Sequence, residues 1–213
     1  MNFLHIQQFI TQDQVEILNA YSNHKPPSEV KTIDYNGRKI VRTVHRDCDY
    51  HVSDSVVHEL LYEKLHKVLG PHTFDHGSFV ESHFPYPLHV DTHETFIAKN
   101  IYTHTDQKLN ASVLICLNDH PLFSTVFFDY FTEIFDIEQS LERCHKRIDS
   151  LSHDSVDLTH LSDRAMTLLS HINITNVAHW RVGDCLIWPR DQLHCSSNFL
   201  ASGLQKKALV MFF

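Results

Sequence analysis

The chain has 213 residues, of which 42% are hydrophobic and 21% charged, and its formal net charge is −8 at pH 7. These proportions are typical of a soluble globular protein, and the length suits one domain with a full-sized core. The negative charge argues against broad electrostatic binding to nucleic acid or to an anionic membrane, although it is compatible with one local basic pocket.

The five cysteines are odd in number, and none of them forms a C-x-x-C pair. This usage favours a reducing compartment and argues against structural disulfides or a thiolate zinc site. The N-terminal sequence MNFLHIQQFITQDQ lacks the features of a signal peptide. The longest apolar run, ASVLICL, is far shorter than the roughly 18 residues of a membrane-spanning helix. We therefore expect a cytoplasmic protein.

The first 72 residues predict an N-terminal support of two helices and a hairpin. Thr11 is a suitable N-cap for a first helix that extends to about residue 24. The segment VKTIDYNGRKIVRTVH predicts two short strands around a turn at Asn36-Gly37, a favoured hairpin pair. A second helix, within SDSVVHELLYEKLHKVLG, is predicted to begin at a Ser or Asp cap and to end at Gly70-Pro71.

From residue 73 the pattern changes to strands, which predict a β core interrupted by a helical insert. Short β-branched and aromatic runs occur in TFDHGSFVESHFPYPLHVDT, NASVLICLND and FSTVFFDYF, and again in HWRVGDCLIWP, QLHCSSNF and KKALVMFF. The polar segment 133–171 between these groups favours helix. Strands without alternating helices indicate an antiparallel sandwich or jelly roll, whose open mouth can bind ligands. We expect residues 1–213 to form one mainly β domain with flanking helices.

The triplet H-x-D can supply two metal ligands. At the end of a strand its two side chains point to the same side, because side-chain direction repeats every two residues. Two histidines and one carboxylate on one face would hold iron(II) and leave three coordination positions open. With 19 histidines in the chain the triplet is not specific by itself. It occurs as His45-Arg46-Asp47, His89-Val90-Asp91 and His104-Thr105-Asp106.

The segment RVGDCLIWPRDQLHCSSNF offers the third ligand, because His194 opens a strand that follows the strand CLIWP. Here the sequence resembles the Fe(II)/2-oxoglutarate-dependent oxygenases, of the prolyl-hydroxylase and phytanoyl-hydroxylase type. These proteins have an early H-x-D, a strand of the form G-D-x-[LIV]-[LIV]-[FW], a distal His and then a basic residue. The resemblance covers about residues 79–213 without the insert, and FLHIQQFITQDQVEIL resembles the helix that often precedes this core.

The resemblance implies a double-stranded β-helix with a jelly-roll or cupin-like form, in which His89, Asp91 and His194 hold Fe(II). It also implies that O2 converts 2-oxoglutarate to succinate and CO2 while a substrate C–H bond is hydroxylated. Halogenating members of the family have Gly or Ala at the position of Asp91, so the carboxylate here favours hydroxylation.

Context ranks the three H-x-D triplets. His89/Asp91 is preferred because it follows FVESHFPYPL and precedes two runs that resemble the family's next strands. His104/Asp106 is the main rival, but no clear strand precedes it. His45/Asp47 lies in the predicted N-terminal support and ranks last. His93 would face the same side as Asp91 if the strand continued, and we expect it to line the pocket mouth or to be solvated.

The basic residue that would hold the far carboxylate of 2-oxoglutarate is Lys206 or Lys207. Adjacent residues of a strand point to opposite faces, so one lysine should enter the barrel and the other should be solvated. Many family members have Arg here with Ser two residues later, whereas Ala208 and Leu209 occupy the corresponding positions of this chain. The sequence gives a slight preference for Lys207.

We therefore predict an oxygenase that acts on a small molecule or amino-acid derivative, and no nucleic-acid or membrane partner. Two alternatives stay open: a cupin-like dioxygenase or isomerase that does not use 2-oxoglutarate, and a jelly-roll binding module without catalysis. Further aromatic or polar residues are candidates for the pocket wall without an assigned role: Tyr86, Tyr102, Ser112, Trp188, Ser196 and Asn198.

Overall fold

A computed structural model describes residues 2–35, 37–91, 110–132, 135–143 and 156–213. Its elements in chain order are β1 (Leu4–Ile6), α1 (Gln12–His24), β2 (Glu29–Tyr35), β3 (Arg38–Asp47), α2 (Val56–Leu69), β4 (His76–Ser82), β5 (Ala111–Cys116), β6 (Ser124–Phe131), α3 (Ile137–Arg143), α4 (Asp163–Leu169), β7 (Ile174–His179), β8 (Cys185–Pro189), β9 (Gln192–Ser196) and β10 (Lys206–Phe212).

Side-chain caps fix the ends of the two N-terminal helices, as the sequence predicts. Thr11 accepts a hydrogen bond from the backbone N–H of Gln14, whose side chain in turn accepts from the backbone N–H of Thr11, so that α1 begins with a capping box. Ser55 caps α2 by accepting a hydrogen bond from the backbone N–H of His58. Gly70 ends α2 at φ +73°, a conformation that glycine adopts without steric cost.

The strands form two antiparallel sheets. The larger sheet has the order β1-β8-β5-β10-β4-β3-β2, and the smaller has the order β7-β6-β9. An antiparallel bridge between His89 and His194 places residues 88–91 beside β9, at the edge of the smaller sheet. The chain thus crosses repeatedly between the two sheets, as expected for a jelly roll.

Three apolar clusters stack the elements in four layers. Side chains that alternate along β5, β8 and β10 pack against α1 and α2 on one face of the larger sheet, and against the smaller sheet on the other. The outer face of the smaller sheet packs against the insert, through Val126, Phe128 and Leu193 on one side and Ala165, Leu168 and Leu169 on the other. The predicted insert is therefore part of the packed core where it is described.

The segment FLHIQQFITQDQVEIL, which resembles a helix of the oxygenases, is helical only after the predicted cap Thr11. Its first part contains the strand β1, which pairs with β8. The side chain of Asp184 holds this segment, because its carboxylate contacts His5 Nε2 at 2.7 Å and accepts from the backbone N–H of Gln8. Gly183 has φ +82°, and a Cβ there would lie 2.4 Å from the backbone oxygen of Ile10. Gly183 and Asp184, the G-D pair of the motif, thus allow and hold a close contact between the core and the N-terminal segment.

Other boundaries also differ slightly. The predicted run HWRVGDCLIWP contains the strand β8 at CLIWP, and its first residue, His179, ends the strand β7, which was not predicted. β9 starts at Gln192, so His194 lies in its middle rather than at its start. Gly37 closes the predicted hairpin at φ +75°, while Asn36 lies outside the described residues. Of the insert, residues 133–134 and 144–155 also lie outside them. No helix in the described part of the chain is long and apolar enough to cross a membrane.

Candidate metal and anion site

A cavity of about 650 Å³ opens between the two sheets. Its interior is lined by apolar and aromatic side chains, among them Val80, Leu114, Trp180, Trp188 and Ala208. This size and lining are usual for a small-molecule site. Polar and ionisable side chains converge on the cavity from both sheets, and they include His89, Asp91, His194 and Lys206.

His89, Asp91 and His194 form a three-donor group at the edge of the smaller sheet. The distance from His89 Nε2 to Asp91 Oδ1 is 3.9 Å, and that from His194 Nε2 to Asp91 Oδ2 is 3.7 Å. The three residues each offer one ligand atom, and these three atoms lie within 4.8 Å of one another, close enough to bind one metal ion. His89 and Asp91 share a face because they are two residues apart, and the bridge of His89 to His194 supplies the third donor.

Hydrogen bonds orient all three donors. His89 Nδ1 lies 2.8 Å from the carbonyl oxygen of Pro87, and His194 Nδ1 lies 2.9 Å from that of Gln192. A carbonyl only accepts, so each Nδ1 carries the proton and each Nε2 keeps a free lone pair for a metal.

The Asp91 carboxylate is positioned from the larger sheet. Its Oδ2 accepts from Ser112 Oγ at 2.5 Å and from Trp188 Nε1 at 3.0 Å. Ser112 and Trp188 are opposite each other in the β5–β8 pairing, so one cross-strand pair holds the carboxylate. The sequence marked both residues as wall candidates but gave no signal for this role, since the pairing joins segments 76 residues apart (188 − 112).

Burial of the site keeps His89 unprotonated near neutral pH. Burial and the nearby His194 lower the pKa of His89 to about 4. His194 is packed between aromatic rings, stacked on Phe127 at 5.8 Å and in edge contact with Trp188 at 5.1 Å. Neutral imidazoles with one carboxylate are the donor set of a mononuclear non-haem iron(II) site with open positions. The residues present therefore fit this metal.

The other H-x-D triplets do not supply a comparable group. His45 and Asp47 face the same cavity from β3, but no further donor among the described residues completes a set of three with them. His93, His104 and Asp106 lie outside the described residues.

The structure reverses the preference between the two lysines. Lys206 points into the cavity and is only 3% exposed, whereas Lys207 points to the opposite face, where its Nζ lies 3.7 Å from Glu81. One lysine enters the cavity, as expected, and it is Lys206 rather than the preferred Lys207. The register of β10 on β4 determines which lysine faces the cavity. Lys206 pairs with Ser82, and the side chain of Ser82 also lines the cavity.

The ammonium of Lys206 is held by neutral groups. It donates to the backbone carbonyl of Ser124 at 3.0 Å and to Ser196 Oγ at 3.3 Å, and it lies 3.8 Å from the centre of the Trp180 ring. No carboxylate in the described part of the chain lies within ion-pair distance of it. Burial accordingly lowers the pKa of Lys206 to about 7. A buried cation with neutral partners could bind an anion that enters the cavity.

No protein-family model matches the chain, and no curated protein matches it. Solved structures do match in fold. The α-ketoglutarate-dependent epimerase SnoN aligns over 99% of this chain and 77% of its own, with 9% identity and a TM-score of 0.55. HygX from Streptomyces hygroscopicus, solved with nickel and 2-oxoglutarate bound, aligns over 99% and 81%, with 14% identity and a TM-score of 0.55. An oxidoreductase of the 2OG-Fe(II) oxygenase family from Burkholderia pseudomallei aligns over 99% and 84%, with 10% identity and a TM-score of 0.53.

The chain has the double-stranded β-helix fold. This confirms the predicted fold class. The structural alignments cover 99% of the chain, although sequence identity is only 9% and 14%. In this double-stranded β-helix the three-donor group and Lys206 face one cavity from different strands.

Proposed function

We propose that the protein is a non-haem Fe(II)/2-oxoglutarate-dependent oxygenase. One observation carries the proposal: a three-donor group that fits iron(II) and a buried ammonium without a described carboxylate partner face the same cavity. A metal site alone would suit a cupin-like enzyme equally well. The ammonium adds the feature that a dicarboxylate cosubstrate requires, because such an ion pair is favourable when it is well matched and shielded from water.

In this proposal His89, Asp91 and His194 hold the iron through two Nε2 atoms and a carboxylate oxygen. Iron(II) bound by these residues would offer open positions for 2-oxoglutarate and O2. Lys206 binds the far carboxylate of the cosubstrate. Ser196 Oγ lies 3.3 Å from the ammonium and is a second hydrogen-bond donor to the same carboxylate. It replaces the Ser that many related proteins have two residues after the basic residue.

The apolar interior keeps water from the reacting atoms. Val80, Leu114 and Ala208 line the cavity from the larger sheet, and the Trp188 ring is in edge contact with His194. We propose that the oxidation is a hydroxylation of a small molecule. The named activities of matched structures include an epimerase and a carbocyclase, so the product mass is the deciding measurement. Hydroxylation adds one oxygen atom to the substrate, whereas epimerisation leaves its mass unchanged.

The first experiment measures succinate formed by anaerobically Fe(II)-loaded protein after addition of O2 and 2-oxoglutarate, without a second substrate. We expect slow turnover that is lost in Asp91→Ala. Lys206→Met should raise the concentration of 2-oxoglutarate needed for half-maximal rate by at least tenfold, since it removes a charged hydrogen bond. The adjacent Lys207→Met is the matched control and should behave as wild type, because Lys207 lies on the opposite face.

The outcomes separate the alternatives. Retained metal without consumption of 2-oxoglutarate would favour the cupin-like enzyme, and absence of retained metal would favour a binding module. Turnover that persists in Asp91→Ala would contradict the assigned ligand set. In that case His104/Asp106 becomes the pair to test.

A further inference from the structure

The first H-x-D triplet has no part in the proposed metal site, yet its side chains face the cavity. His45 and Asp47 lie on the inner face of β3, and together with neighbours on β2 and β4 they form a wall at the open end of the cavity. We call this wall the polar mouth, defined by Ser28, Glu29, Lys31, His45, Asp47 and Ser78. Four of these six residues are exposed, whereas the residues around Lys206 and His194 are buried.

The polar mouth contains a fixed hydrogen-bond network. His45 Nδ1 lies 3.2 Å from Ser78 Oγ, and His45 Nε2 lies 3.4 Å from the hydroxyl of Tyr86. Burial lowers the pKa of His45, so the ring is neutral at pH 7, with one N–H donor and one acceptor nitrogen. The Tyr86 hydroxyl also contacts the side chains of Thr43 and Ser82. Ser78 Oγ is therefore the hydroxyl of this network that is left for a ligand, and His45 orients it. A hydroxyl can donate to or accept from a ligand hydroxyl or amine group.

The electrostatic character of the polar mouth is set by Asp47. Glu29 is neutralised by Lys31, whose Nζ lies 3.4 Å from its carboxylate. Asp47 is exposed, and no cation in the described part of the chain lies within ion-pair distance of it. Arg42 lies over the Tyr86 ring, 5.6 Å from its centre, and is not among the lining side chains. The mouth thus favours a cationic group over a carboxylate or phosphate.

The polar mouth adjoins the proposed reaction centre. The Tyr86 ring that contacts His45 through its hydroxyl also packs on the His89 ring, with 5.5 Å between the ring centres. A ligand anchored on the mouth would therefore present a neighbouring carbon to the metal side of the cavity. The cavity volume of about 650 Å³ is large enough for a cosubstrate and a small second molecule together.

We infer that the polar mouth binds the prime substrate and that this substrate is a small hydrophilic molecule that carries an amine beside hydroxyl groups. The inference rests on the proposed function, since it assigns the second substrate of the same site. Asp47 binds the amine, and Ser78, which His45 orients, binds a hydroxyl. Acyl chains lack the groups that satisfy this wall, and anionic substrates such as nucleotides would face Asp47 without a counter-ion.

The test compares binding of matched probes to protein loaded with zinc(II) and 2-oxoglutarate, which does not turn over. The panel consists of glucosamine and other amino sugars, the parent sugars, the corresponding uronic acids, and alkyl carboxylates. Ligand-observed NMR titration gives the relative affinities. We expect the amino sugars to bind best and the acids and alkyl chains worst. Asp47→Asn should weaken the amine class about three- to tenfold relative to the parent sugars, as for a partly solvated charged hydrogen bond.

Asp34→Asn is the matched control, because Asp34 is an exposed residue of β2 that does not line the cavity. Its probe affinities should equal those of wild type. Thermal unfolding of Asp47→Asn checks that the fold is intact. Preferential binding of acids or alkyl chains, absence of binding in the amine class, or an equal effect of Asp47→Asn on all classes would overturn the inference.

The succinate assay without second substrate keeps the two proposals distinguishable. If wild type forms succinate but shows no preference for amines, only the assignment of the mouth is wrong. If amines bind through Asp47 but no succinate forms, the oxygenase proposal is wrong and the mouth serves another ligand.

Discussion

Raising the pH above neutrality should weaken binding of 2-oxoglutarate, because its proposed anchor loses its proton. The pKa of Lys206 is lowered to about 7 by burial, whereas the carboxylates of the ligand stay ionised throughout this range. The groups packed around the ammonium are the Cys116 and Cys195 thiols and aromatic rings. Burial raises the pKa of both thiols, that of Cys195 to about 12, so neither titrates between pH 6 and 9. His160 also senses the ammonium, and its own pKa is lowered, mainly by burial.

The size of the effect follows from linkage. If only the protonated form binds, the apparent Kd rises by a factor of one plus ten to the power of (pH − 7), given the pKa of about 7. This factor is about 2 at pH 7, about 11 at pH 8 and about 100 at pH 9. The bound carboxylate raises the pKa again, so binding takes up about 0.9 proton at pH 8 and about 0.5 at pH 7. The loss of affinity therefore starts near pH 7 and continues until the pKa of the complex is reached.

Isothermal titration calorimetry of the anaerobic Fe(II) protein in buffers of different ionisation enthalpy measures both the Kd and the proton uptake. Lys206→Arg is the control, since a guanidinium stays protonated and its affinity should not change over this range. A Kd for 2-oxoglutarate that does not change with pH in wild type would refute the assignment of Lys206 as the anchor, and so would the same pH dependence in Lys206→Arg. Lys207→Met should show the pH dependence of wild type.

Three further predictions concern metal binding and stability. Trp188→Phe removes one of the two hydrogen bonds to Asp91 Oδ2 and should lower metal affinity about tenfold or more, measured by competition with a chromophoric chelator; unchanged affinity would contradict the orienting role. Gly183→Ala should cost about 2 kcal/mol or more and lower Tm by at least 4 °C, since a Cβ would lie 2.4 Å from a backbone oxygen. Gly37→Ala is the control, because Gly37 also has positive φ but no atom would lie within 4 Å of its Cβ; this substitution should cost about half as much stability. Equal losses of stability in the two variants would argue against a clash at Gly183. Lys206→Met should raise Tm near pH 7 by a few degrees, because it removes a buried charge, and a lower Tm would show that the ammonium stabilises the fold.

The β-rich fold and part of the candidate metal site follow from local rules. Alternation along a strand places His89 and Asp91 on one face, and the distance of His194 along the chain requires a neighbouring strand. Caps at Thr11 and Ser55 define the helix starts in the same local way. For the helix caps and for the shared face of His89 and Asp91, the physical cause lies within a few residues, whereas His194 was found through the order of motifs that resembles the oxygenases.

Features that depend on register could not be predicted from the sequence. The choice between Lys206 and Lys207 depends on which of them pairs with Ser82, a residue more than 120 positions earlier, and the local pattern KKALV is compatible with either. The short strand β1 has only three residues and exists because β8, about 180 residues later, offers an edge. Strand periodicity cannot be detected in so short a segment.

Lys206 is also the residue that best distinguishes the candidate functions on physical grounds. A buried ammonium without a described carboxylate partner lowers the stability of the fold, and an apolar side chain of the same length would fill the space among Trp180, Phe123 and Phe199 better. A binding module for neutral ligands would have no use for it. Because the same cavity holds a three-donor group that fits iron, the charge is explained most simply as one half of an ion pair whose other half is the cosubstrate. The stability lost in the free protein is regained when the dicarboxylate binds, so the cosubstrate should raise Tm more in wild type than in Lys206→Met.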